Sequence, residues 1–92
     1  MRTAQFILEP QDPNRLAALC GHLNENLHLI ERYLAVEVNQ RGYQFHIVGP
    51  KTAVSESERF IKSLYNQTEK SLHLNNHELN VTLQSLASAT RE

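Results

Sequence analysis

Between Pro13 and Val48 the apolar residues keep helical spacing, break at one glycine, resume helical spacing, and then alternate as strand residues do. Leu16, Leu19 and Cys20 share one helical face, introduced by Asp12-Pro13, where an aspartate can accept from free backbone amides and a proline at the first helical position loses nothing. Gly21 stops that helix as a residue tolerant of left-handed backbone. Leu23, Leu27, Ile30 and Leu34 then follow at intervals of four, three and four, with Asn24 as the expected N-cap of a second helix. Val36 and Val38, and after them Tyr43, Phe45 and Ile47, recur at every second position, which predicts strands over Ala35–Asn39 and Tyr43–Val48 with Arg41-Gly42 as their turn. Two short helices around a tight turn, followed by a hairpin, leave few ways to build a core.

The flanks narrow the choice further. Thr3 to Leu8 sets Phe6 and Leu8 opposite Gln5 and Ile7, as in a strand covered on one face, and Glu9-Pro10 ends it. After Gly49-Pro50, the positions Val54, Phe60, Ile61, Leu64 and Tyr65 read as a long amphipathic helix from about Thr52 to Lys70. Asn75 with Glu78 resembles a capping box for a short C-terminal helix carrying Leu79, Leu83 and Leu86, although Leu79, Val81 and Leu83 also alternate as a strand would. The expected class is therefore α+β, in the order β-α-α-β-β-α, with a three-stranded antiparallel sheet packed on helices. At 92 residues, 40% hydrophobic and 21% charged, the chain has room for one domain and one core.

Charge and cysteine usage bound the function. Nine Lys and Arg stand against ten Asp and Glu, so no net field draws the chain onto nucleic acid or an anionic membrane, and any such contact needs a local patch. No apolar run approaches the ~20 residues that span a bilayer. The single Cys20 has no internal disulfide partner, and Met1 to Gln5 lacks the apolar region of a signal peptide, so a reducing, cytoplasmic setting is expected.

The text Leu19-Cys20-Gly21, Glu25-Asn26-Leu27, Ile30-Glu31-Arg32 and Val36-Glu37-Val38-Asn39-Gln40-Arg41-Gly42 resembles the type I KH-like N-terminal domain of PhoH-like proteins. In KH domains a Gly-x-x-Gly turn joins two helices, and isoleucine-like residues follow at the third and sixth positions after the second glycine. Here that turn is Gly21-His22-Leu23-Asn24, with Leu27 and Ile30 at those places. The resemblance implies a KH-like domain over residues 1–71 and, over 72–92, an extension or linker toward a P-loop ATPase domain. No Gly-x-x-x-x-Gly-Lys-Ser/Thr occurs in the chain, so ATP and magnesium are expected only for that other domain, and no cofactor for this one. The implied partners are single-stranded RNA and an endoribonuclease or ribosome-associated protein, without a membrane.

By that resemblance Gly21, His22, Leu23 and Asn24 form a clamp for the RNA backbone, the second helix offers its amides and dipole end, and Val36, Val38 and Arg41 lie near the opposite rim. Asn24 stands where the family pattern has glycine and, as an N-cap, would take amides that a phosphate needs. Leu23 offers no charge, and Glu25 offsets the helix dipole. The rival reading is a protein-interaction or oligomerisation module with a vestigial turn. Catalysis finds no support: Cys20 lies on an apolar face without an activating base, and His73 and His77 are separated by the helix start at Asn75-Asn76, which argues against a shared metal-binding face. Glu56, Glu58, Arg59 and Lys62 read as the wet side of the long helix.

Overall fold

The computed structural model describes residues 1–90. The chain runs β1 (Arg2–Ile7), α1 (Pro13–Cys20), a single 3₁₀ turn (His22–Asn24), α2 (Glu25–Leu34), β2 (Glu37–Arg41), β3 (Gln44–Gly49), α3 (Lys51–Gln67) and α4 (Asn76–Thr90). The class is α+β in the expected order β-α-α-β-β-α, followed by α4. The three strands form one antiparallel sheet in the order β1-β3-β2, so the C-terminal hairpin strand sits in the middle and β1 closes against it.

Local chemistry starts α1 as its sequence predicts. Asp12 Oδ1 accepts from the amides of Asn14 at 2.9 Å and Arg15 at 3.3 Å, with Pro13 opening the helix. At the other end Gly21 has φ 79° and ψ 179°, a conformation essentially reserved for glycine, rather than the left-handed helical one expected. A Cβ there would also lie 2.9 Å from both the Asn26 amide nitrogen and Glu25 Cγ.

Strand alternation divides the sheet into two faces. Phe6 and Phe45 are register partners on the inner face, their rings stacked at 5.5 Å. With Leu8, Val36 and Ile47 they meet Leu19 of α1, Leu27, Ile30 and Leu34 of α2, and Val54, Ile61, Leu64 and Tyr65 of α3 in one core. Burial of each such side chain is worth roughly 1.5–3 kcal/mol, the main favourable term in a domain this small.

Several boundaries differ from the sequence reading. The hairpin turn is Gly42-Tyr43, with Gly42 at φ 59°, because Arg41 still pairs with Gln44; Tyr43 thus leaves the strand. Helix α3 ends at Gln67 rather than Lys70. Here Thr68 turns its hydroxyl back to the Tyr65 carbonyl, and the buried Arg15 donates to that same carbonyl at 2.8 Å.

The C-terminal segment is a helix of 15 residues, longer than the short one expected. Asn75 Oδ1 caps it by accepting from His77 and Glu78 amides at 2.8 and 3.2 Å. Val81 is 51% exposed between buried Leu79 and Leu83, which a shared strand face would not allow. Residues 72–92 were expected as an extension or linker; within them Leu79, Leu83 and Ala87 join the same core, and Asn80 Oδ1 accepts from the Tyr33 hydroxyl at 3.0 Å.

Candidate nucleic-acid interface

The α1–α2 turn is built from three backbone exceptions within four residues. Gly21 is followed, after His22, by Leu23 (φ 52°) and Asn24 (φ 59°), both left-handed, and the Asn24 amide closes the turn onto the Gly21 carbonyl at 3.2 Å. This geometry corrects two expectations. Asn24 occupies the N-cap position, yet its side chain makes no capping hydrogen bond, because left-handed φ and ψ replace the extended backbone that aims a cap at the next amides. Leu23, counted from spacing with the buried face of α2, is 81% exposed, since the chain turns left-handed before the helix begins.

His22, Leu23, Asn24 and Glu25 are all exposed, so the turn is a projecting tip. Beneath it Asn26 is buried. Its Nδ2 donates to the Leu19 carbonyl at 3.0 Å, tying the end of α1 to the start of α2, while its Oδ1 has no partner among the described residues. Its spacing of four from Ile30 was the available signal for Asn26, whose role depends on α1 ending against it.

The remaining residues of the expected site do not converge on the turn's rim together. Val36 is buried and Val38 half-buried, and Val38 pairs with Ile47 on the inner face. Arg41 pairs with Gln44 and points to the outer face. The one-residue alternation of a strand thus parts Arg41 from the two valines. The Val38 amide is taken by Glu31 Oε2 at 2.9 Å, so α2 covers part of the free edge of β2. Glu31 also meets the exposed His28 Nδ1 at 3.2 Å.

Burial pushes the Cys20 thiol up, away from the thiolate a nucleophile needs. Among the described residues no three His, Cys, Asp or Glu side chains come together as a metal site, and no helix is long and apolar enough to cross a membrane. Glu56 with Arg59 (3.2 Å) and Glu58 with Lys62 (2.6 Å) form solvated pairs along α3, worth a fraction of a kcal/mol at most.

Two features escaped the sequence reading. Arg15 is 9% exposed: its Nε donates to Thr68 Oγ1 at 3.0 Å, and its guanidinium lies 4.4 Å over the Tyr65 ring. The available signal was its spacing of four from Leu19, on the buried face of α1. The second is a depression of about 370 Å³ on the outer face of the sheet, lined by Gln5, Asn39, Gln40, Arg41, Gln44 and His46. Its lining depends on the strand register, which periodicity does not give. No protein-family model matches the chain.

Proposed function

We propose that this chain is a noncatalytic accessory domain that positions single-stranded RNA, or a protein that processes RNA, for a P-loop ATPase domain of the PhoH-like kind, in the cytoplasm. The observation that carries the reading is the start of α2: the helix begins at an exposed turn with no side-chain cap, so Asn24 does not compete for its amides. A helix N-terminus of ten residues presents donors and the positive end of its dipole, which suits a phosphate. Glu25 opposes that preference and sets the affinity low.

The test is titration of the chain with short single-stranded RNA at low and high salt. Binding should weaken as salt rises; Glu25→Lys should tighten it several-fold; Asn24→Asp should weaken it; and Asn24→Gly, which keeps the left-handed backbone open, should preserve it. RNA binding that ignores all three substitutions would remove the turn from the site. A second reading, a protein-docking module, is favoured by one observation, the 81% exposure of Leu23 at the tip of the turn. Its mark would be concentration-dependent assembly abolished by Leu23→Ser, without any RNA binding.

A further inference from the structure

The geometry points to a second RNA-contacting surface on the outer face of the sheet, where Arg41 takes a phosphate and Gln5, Asn39 and Gln44 read the edges of unstacked bases around His46. The inference rests on the RNA-binding reading above and places part of that contact away from the glycine turn. Register brings these residues together: Gln5, His46 and Asn39 form one row across β1, β3 and β2, and Gln44 and Arg41 stand side by side in the next. With strands ~4.8 Å apart the three-residue row spans roughly 10 Å.

The chemistry of the lining selects the ligand. Among the described residues, those lining the depression carry one guanidinium, one imidazole and four primary amides, and no carboxylate. Its charge complements an anion, and Arg41 is the permanently charged group among its described lining residues. An amide side chain offers a donor and an acceptor side by side, the arrangement that pairs with base edges. Imidazole and guanidinium planes are surfaces on which splayed bases stack. Among the described residues none of the Gln5, Asn39, Arg41, Gln44 and His46 side chains is engaged with another side chain or the backbone, so a ligand displaces no internal bond; Gln40 alone is held, donating to the Gly42 carbonyl at 2.7 Å. The core lies on the other side of the sheet, where Phe6, Phe45 and Ile47 face the helices, and the outer face stays open.

The occupant is a single strand, because a flat, open surface holds one nucleotide poorly and gathers affinity from a phosphate together with several bases. Fluorescence anisotropy of the full chain with labelled A-rich, C-rich and U-rich oligonucleotides across a salt series tests this. Arg41→Gln should weaken every sequence by about tenfold and lower the slope of log affinity on log salt by ~0.7, one phosphate contact. Gln5→Ala and Asn39→Ala should leave that slope alone and flatten the preference among the three sequences. Retained circular dichroism would show that the exposed variants still fold.

Affinity, slope and preference unchanged in all three variants, with Glu25→Lys still active, would overturn the sheet surface and leave the turn reading standing. Loss at Arg41 together with indifference to Glu25→Lys would support the surface and remove the turn. Absence of RNA binding by the unaltered chain would overturn both. A mononucleotide competing as well as the strand would overturn the strand as occupant.

Discussion

At the level of single residues, the turn between α1 and α2 depends on the absence of a side chain at Gly21. Its φ of 79° with ψ of 179° is a backbone state that residues with a Cβ avoid at a cost of about 1–3 kcal/mol. Space is short as well, with the Asn26 amide and Glu25 Cγ each 2.9 Å from an added methyl. Moving Asn26 would break its bond to the Leu19 carbonyl, which holds the two helices together. Gly21→Ala should therefore destabilise the domain by at least ~1 kcal/mol in urea denaturation, whereas Asn24→Gly, at φ 59°, should be neutral or stabilising. Equal stability of Gly21→Ala and the unaltered chain would show that the turn relaxes freely.

Among the elements, α1 and α3 are joined through one buried cation. Arg15 donates to Thr68 Oγ1 and to the Tyr65 carbonyl, and its guanidinium packs on the Tyr65 ring. That carbonyl belongs to the last turn of α3, where unsatisfied acceptors and the negative end of the dipole favour a positive group. The Tyr65 hydroxyl in turn donates to the Pro10 carbonyl, so the same cluster holds the link between β1 and α1. Arg15→Ala removes two hydrogen bonds and the stem that packs beside them; charged hydrogen bonds are worth about 1.5–3 kcal/mol each, and a loss of about 2 kcal/mol or more is expected by urea titration. Arg15→Lys should recover only part, since an ammonium has no planar fork to serve both acceptors. The contrast with the rest of the fold is physical. Leu19, Leu27, Ile30, Val54 and Ile61 were legible because burial along one helix repeats in the sequence, and Phe6, Phe45 and Ile47 because strands alternate. Arg15 was not, because its partners lie 50 and 53 residues away. Leu23 misled because a left-handed backbone breaks the period that its spacing continues. In the candidate site, the turn residues Gly21 to Asn24 were legible as a contiguous motif, while the outer face gathers Gln5, Asn39 and His46 from three strands whose register only the fold supplies.

For the whole molecule, the decisive matter is whether α4 folds with the sheet or apart from it. Leu83 is 1% exposed and belongs to the core cluster that contains Leu34 and Phe45. A chain of 92 residues has a stability of only roughly 5–14 kcal/mol at 0.05–0.15 kcal/mol per residue. Removal of a fully buried leucine side chain costs about 2–5 kcal/mol, so Leu83→Ala should take a large share of that total. The chain has three tyrosines and no tryptophan, and Tyr33 reports directly on α4 through its hydrogen bond to Asn80, while Tyr65 reports on the α1–α3 cluster. Urea unfolding followed by tyrosine fluorescence and by far-ultraviolet circular dichroism should give coincident transitions, shifted together to lower urea in Leu83→Ala with the slope unchanged. An early transition lost on its own in Leu83→Ala, with the sheet unfolding later at its original midpoint, would instead mark α4 as an appendage. Coincidence follows from the packing: α4 lies against α2, and Tyr33 bonds Asn80 across that contact, so loss of α4 would open α2 to water, and α2 carries both the candidate turn and the Glu31 carboxylate that covers the edge of β2. The C-terminal helix thereby stabilises the candidate turn through α2.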